Sequence, residues 1–249
     1  MMSRDTRELC PELRHREPLD EVELQGLFRR EPDLLDVGFL SRAIERAASI
    51  CRVEADGGEV LGTGFLVGRR AVLTNCHVLD CVPGQDSEQK AGNLVLRFRS
   101  VTALDGRESD GQVFRADPQR PLQRTSPVGA LDYALIRVEE RITRAADVPP
   151  VGYADHQLLA KGTALNILGH PLGGAMKLAL SGNGVVGVYP DAGLVQYATR
   201  ALNGSSGSPC FDENWQLVAI HHAERATAFG AVREGVLLEP IFNEIRGML

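Results

Sequence analysis

From Ser49 onward the chain is a succession of short apolar runs punctuated by Gly, Pro and Asp: ICRVE, VLGTGFLVG, AVLTNCHVL, LVLRFRS, DYALIRV, ALNILGH, KLALSGNGVVGVY, LVQYAT, SPCF, QLVAIHH and VLLEPIF. Runs of this length and spacing read as strands joined by turns, and about eleven of them fit a barrel or a sandwich. The 26 glycines and 13 prolines supply the turns. With 249 residues, 43% of them hydrophobic and 24% charged, the chain can bury a large all-β core. The stretch from Thr102 to Gly129 is charged and poor in apolar runs and reads as long loops. Arg141 to Pro150, ending in two prolines, divides the β-rich region into two similar parts.

The first 40 residues have a different texture, rich in Arg, Glu, Asp and Leu. Leu19, Val22, Leu24, Leu27 and Phe28 are spaced for a short amphipathic helix over Pro18 to Arg30, and a second helix is expected over Phe39 to Ala48. The net charge is −6 and no lysine or arginine run forms a basic stripe, so neither nucleic acid nor a membrane surface is the expected partner. The amino terminus has no apolar stretch of the signal-peptide kind, and no segment approaches 18 uninterrupted apolar residues. Five scattered cysteines (Cys10, Cys51, Cys76, Cys81 and Cys210) suit reduced thiols better than a disulfide framework. A cytoplasmic location is the expectation.

Gly204-Ser205-Ser206-Gly207-Ser208-Pro209 is a small-residue turn between two β-like runs, a setting that can expose one hydroxyl while backbone amides point at the same reacting carbonyl. Ser206 is the best-placed nucleophile. A serine hydroxyl needs a base, and of six histidines His77 sits after an apolar strand, LTNC, that could hold its ring still. The base in turn needs a carboxylate to set its tautomer, and Asp132 heads the apolar run YALIRV. Asp105, Asp110 and Asp117 are rival acids without a strand behind them. Taken singly, a histidine after a strand is usually a packed core or surface residue, and a Gly-Ser turn is usually only a turn. The ordered set is what carries the reading.

In order along the chain, GTGFLV (62–67), LTNCHVL (73–79), DYALIRV (132–138) and GSSGSP (204–209) resemble the successive signatures of trypsin-like, chymotrypsin-fold serine peptidases. The resemblance covers residues 49–245 and is nearest in kind to bacterial glutamyl-endopeptidase-like enzymes and the trypsin-like domains of bacterial conflict systems. It implies an all-β fold of two packed six-stranded antiparallel β-barrels behind a short helical N-terminal extension. On that plan residues 1–48 are the extension and 49–249 the peptidase domain, with barrel one at about 49–145 and barrel two at about 150–240; the extension is expected to pack on the main domain, with a regulatory or partner-docking role as the alternative.

The same resemblance implies roles. Ser206 is the nucleophile, His77 the general base and then acid, and Asp132 the orienting carboxylate, with the amides of Gly204 and Ser206 as the oxyanion hole. Arg200, Ala201, His221, His222, Ala223 and Glu224 fall where substrate is bound, with the strand from Gln216 pairing along a peptide. Arg200 and His221, two groups able to carry positive charge, point to an acidic P1 residue, against which stand Ala201, lacking a hydroxyl, and Glu224, able to neutralise Arg200. Ser205 stands where secreted relatives carry an Asp that receives a freshly cut amino terminus, so activation by such a cut is not expected. A zinc site from Cys76, His77, Cys81, His221 and His222 lacks paired CxxC spacing, and no metal or cofactor is expected. The expected activity is a serine endopeptidase acting on protein or peptide, in a bacterial effector or regulatory setting. A lipase-type hydrolase would place its acid and histidine after the serine. The alternative of another class is a catalytically latent peptide-binding module on the same fold.

Overall fold

The computed structural model describes residues 35–153, 159–182, 184–227 and 230–249. The expected helix over Pro18 to Arg30 and Cys10 lie outside the described residues. The second expected helix is present as α1 (Val37–Ala47), capped by the Asp36 carboxylate, which accepts from the Gly38 amide. Its inner face buries Phe39 and Ala43, with Phe39 against Trp215 at a centroid distance of 5.0 Å.

Two antiparallel sheets follow. The first contains β1 (Ile50–Ala55), β2 (Val60–Gly68), β3 (Ala71–Thr74), β4 (Leu94–Phe98), β5 (Gln112–Arg115), β6 (Leu122–Ser126) and β7 (Tyr133–Arg137), in the order β5-β4-β1-β2-β3-β7-β6. Two short helices, α2 (Cys76–Asp80) and α3 (Ser87–Gly92), fill the β3–β4 connection. The second sheet contains β8 (Asn166–Gly169), β9 (Lys177–Ala179), β10 (Val185–Tyr189), β11 (Leu194–Tyr197), β12 (Pro209–Phe211), β13 (Leu217–Thr227) and β14 (Gly230–Leu237), in the order β10-β11-β14-β13-β12-β8-β9. Both sheets curl towards closure. An Ala116–Val138 bridge ties the end of β5 to the end of β7, and Val185 of β10 exchanges hydrogen bonds with Gly162 and Thr163 ahead of β8.

Strand alternation sorts the apolar side chains into three clusters. In β2 and β3, Leu66 and Val72 point into the first sheet's interior with Val53, Leu96 and Ile136, while Phe65 and Leu73 point the other way, towards Phe211, Leu217 and Ile220 of the second sheet. Leu165, Ile167, Val195, Tyr197 and Val218 fill the second interior. The shared middle cluster makes the two sheets one packed body, with the cleft between them available for a site.

Three expectations are corrected. Each sheet has seven strands rather than six: in the first, the stretch Thr102 to Gly129, expected as loop, contains β5 and β6, and in the second the run KLALSGNGVVGVY divides into β9 and β10. These end strands of the sheet are half-buried and carry polar side chains, so they lack the apolar signature. The run VLLEPIF, expected as strand, splits into the end of β14 and α4 (Leu238–Ile245). Leu238, Ile241, Phe242 and Ile245 recur at helical spacing, and all four are buried in the middle cluster.

Candidate active site

β3 ends at Thr74, and the chain turns at Asn75 into α2, so His77 is the second residue of a short helix rather than the last of a strand. Asn75 occupies the N-cap but does not cap with its side chain. Its Nδ2 donates instead to the Asp132 carbonyl at 2.9 Å. The capping falls to Asp132, whose Oδ1 accepts from the His77 amide at 3.0 Å, satisfying one of the amides that a helix start leaves without an intrahelical partner. Asp132 adopts φ +40°, a left-handed conformation that Asp tolerates better than most residues, and its own amide is held by the Pro127 carbonyl at 3.1 Å.

The other carboxylate oxygen of Asp132 receives two imidazoles. His77 Nδ1 lies 2.7 Å from Oδ2 and His222 Nδ1 lies 2.6 Å from it. Asp132 is fully buried, which by itself pushes its pKa up, but the hydrogen bonds from His222 and His77 outweigh burial and bring it down to about 2. An ionised carboxylate only accepts, so both rings must present Nδ1–H to it. That leaves Nε2 of His77, on a side chain 32% exposed, as the nitrogen able to take a proton from a neighbour.

The serine loop is held from the first sheet. The Thr63 amide donates to the Ser206 carbonyl at 2.8 Å, and the Thr63 hydroxyl donates to the Gly204 carbonyl at 3.1 Å while accepting from the His170 amide at 3.0 Å. Gly207 has φ +83°, and a Cβ there would meet the Thr63 carbonyl at 2.0 Å, so only glycine fits. Within the loop the amides of Ser205, Gly207 and Ser208 donate to the carbonyls of Leu202, His221 and Ser205. Among the described residues the amides of Gly204 and Ser206 have no such acceptor. The Asn203 carbonyl accepts from the Leu172 amide, and because a trans peptide points its C=O and N–H in opposite directions, the Gly204 N–H faces away from Leu172. Ser206 is half-buried and its hydroxyl has no hydrogen-bond partner among the described residues.

The structure thus brings His77, Asp132 and His222 into direct contact and ties the backbone around Ser206 to β2. Asp117, one of the rival acids, pairs with Arg70 and Arg137 instead. Of the expected substrate-binding set, His221 is buried against the Tyr197 hydroxyl, and burial, followed by the charges of His222, His77 and Arg233, lowers its pKa to about 3, so it stays neutral. Glu224 pairs with Arg233 at 3.0 Å rather than with Arg200, which is exposed. Ala201 is buried and Ala223 half-buried. On the β12 side, pairing of β13 continues through His221, whose amide donates to the Ser208 carbonyl. Beyond it, among the described residues, no strand pairs with that edge.

Sequence reasoning missed Thr63 and Asn75, and it placed His222 with the substrate rather than on Asp132. The signal for Thr63 lay in GTGFLV, a hydroxyl between two glycines, but its partners are over 100 residues away. A metal could use the ligand atoms of His77, Asp132 and His222, which lie within 4.8 Å of one another. Both imidazoles, however, aim N–H rather than a lone pair at the carboxylate oxygen, an arrangement made for hydrogen bonding.

Comparison with known proteins agrees with this geometry. The sequence model of the family described as Trypsin-like peptidase domain matches residues 62–220. An uncharacterized protein, y4fB, of Sinorhizobium fredii (strain NBRC 101917 / NGR234) is 30% identical over 208 residues, covering 78% of this chain and 30% of that protein. Glutamyl endopeptidases of Staphylococcus aureus are similar at 23% (strain MRSA252) and 26% (strain COL) over 207 residues, covering 82% of this chain and 54% and 57% of theirs. The chain therefore spans little more than half the length of those endopeptidases and under a third of y4fB. With well over half of its residues inside the family match, the chain belongs to the trypsin-like peptidase domain family.

Proposed function

We propose that the chain is a serine endopeptidase that cleaves peptide bonds through an acyl-enzyme formed on Ser206. The observation that carries this reading is the double grip of Asp132 on His77, backbone amide on Oδ1 and Nδ1 on Oδ2, which presents Nε2 as a base. Ser206 Oγ attacks the scissile carbonyl and its proton passes to His77 Nε2. The Gly204 and Ser206 amides, which have no other acceptor among the described residues, stabilise the oxyanion. Collapse breaks the C–N bond, and the His77 proton leaves on the amine. Water then attacks the acyl-enzyme with His77 as base again, and the carboxylic acid is released. A peptide lies along the unpaired edge of β13.

The test is reaction with a fluorophosphonate probe. Wild type labels, while Ser206→Ala and His77→Ala do not; labelling that persists in Ser206→Ala overturns the assignment. One observation favours the second reading, a latent peptide-binding module: the Ser206 hydroxyl has no hydrogen bond to His77 in this structure. A wild type that does not label but binds peptide selects that reading.

The effector or regulatory setting and a cytoplasmic location belong to the same proposal. Among the described residues Cys51, Cys76, Cys81 and Cys210 are free thiols, which suits a reducing compartment, and no helix is long and apolar enough to cross a membrane. Control through residues 1–48 draws support from α1, which docks by Phe39 and Ala43 yet exposes Val37, Leu40 and Ile44. Equal activity in the full chain and in a variant lacking residues 1–34 would remove the part before α1 from that role.

A further inference from the structure

We propose that His222 is a second imidazole anchor of the Asp132 carboxylate, a positioning residue that acts through Asp132 to hold His77 in the tautomer able to serve as base. The inference rests on the peptidase reading and adds a residue to it.

The backbone aims His222 at this task. In the β13–β14 pairing His221 faces Gly235 and Ala223 faces Glu234, so two positions on β13 correspond to one on β14, and His222 is the extra residue of a bulge. Adjacent side chains of a strand point to opposite faces, and β13 keeps that alternation here, with Ile220 in the middle cluster, His221 in the second sheet's interior, against Tyr197, and His222 on the cleft side, against Asp132. The His222 side chain is 4% exposed and Asp132 is fully buried, so water does not compete for this bond.

Both oxygens of Asp132 are then engaged, by three bonds. Oδ1 takes the His77 amide, and Oδ2 takes Nδ1–H from His77 and from His222, with the two rings edge-on at a centroid separation of 6.1 Å. The two bonds from His77 fix the carboxylate only relative to α2, so the pair could still shift together against the second sheet. The third bond, from a strand of the opposite sheet, removes that freedom. The His222 anchor also crosses the cleft, and its neighbour His221 exchanges backbone hydrogen bonds with Gly207 and Ser208, so adjacent residues of β13 link the carboxylate from the first sheet to the serine loop of the second.

The test combines a count of protons with kinetics on the full chain. Imidazole NMR of the protein labelled with nitrogen-15 at histidine should show two downfield Nδ1–H protons, one lost in His222→Gln and both lost or moved in Asp132→Asn. A wild type with one such proton that survives His222→Gln overturns the proposal. In steady-state assays His222→Leu should lower kcat by about 10- to 100-fold, the worth of a hydrogen bond to a charged group, with KM within about twofold. His222→Gln, which keeps an N–H donor, should recover at least threefold of that loss. Equal kcat in the Gln and Leu variants overturns the positioning role. The proton count needs no turnover, so failure to label with fluorophosphonate refutes the peptidase reading while the spectrum still decides the anchor.

Discussion

The amide of Thr63 donates to the carbonyl of Ser206 at 2.8 Å, so the candidate nucleophile is held by a strand of the opposite sheet. The hydroxyl of the same residue binds the Gly204 carbonyl and the His170 amide. Thr63→Val keeps the shape and the amide but removes both hydroxyl bonds and leaves the buried His170 amide and the part-buried Gly204 carbonyl without these partners. Stability should fall by about 1–3 kcal/mol in urea unfolding, with kcat falling more than KM rises. A Val variant as stable and as active as wild type would show that the backbone bond alone suffices.

Asp132 serves as helix cap, tautomer clamp and receiver of two imidazoles. Asp132→Asn replaces one oxygen by a donor, which cannot accept Nδ1–H from both rings, and the His77 ring is free to flip its tautomer. kcat should fall on the order of 10⁴-fold with little change in KM, as measured by active-site-titrated peptide hydrolysis. A loss under tenfold would mean that His77 does not depend on this carboxylate.

The buried histidines make the fold acid-sensitive. Burial lowers His170 to about 4 and His221 to about 3, against an ordinary value of 6.5. Once pH drops below about 6.5 the unfolded chain binds protons that the folded chain refuses, so stability is full above that pH and is lost as pH falls towards 4. Taken through the whole window, His170 alone is worth roughly 3 kcal/mol. Asp132, lowered to about 2, adds its own loss only below about pH 4. Urea midpoints should fall steeply between pH 7 and pH 4.5, and less steeply in His170→Asn. A midpoint independent of pH over that range would contradict the assignment of neutral buried rings.

On the proposed peptidase reading, Arg200 is the residue whose substitution tests substrate choice. His221 stays neutral and Glu224 is engaged by Arg233, which leaves Arg200, of the two groups expected to face an acidic P1 side chain, as the one for the test. A peptide-library profile should favour acidic P1, and Arg200→Ala should reduce that preference by about tenfold or more. A strong preference for Arg or Lys at P1 would reject an acidic pocket.

Much of this site could be read before any fold was known. His77, Asp132 and Ser206 stand in motifs whose local composition announces them, and most of the short apolar runs became strands because buried strands need contiguous β-branched and large apolar residues. The misses share one cause. β5 and β6 lie at the ends of their sheet, half-buried, so their residues face water as often as core and look like loop. VLLEPIF reads equally as strand or helix until the chain leaves β14, after which Leu238, Ile241, Phe242 and Ile245 take the helical period.

By itself the sequence determined which residue types could do chemistry and in what order they occur, since both are local properties of a few adjacent positions. The tertiary structure alone decided their partners: Thr63 on the Ser206 loop, Asn75 on the Asp132 backbone, His222 on the Asp132 carboxylate. Such bonds join residues 57 to 143 positions apart, and a hydrogen bond a few ångströms long leaves no trace in spacing along the chain. Strand alternation puts His222 on the cleft side of β13, and whether it meets substrate or carboxylate there was settled by the packing of the two sheets, which brings Asp132 of the other sheet within hydrogen-bond distance.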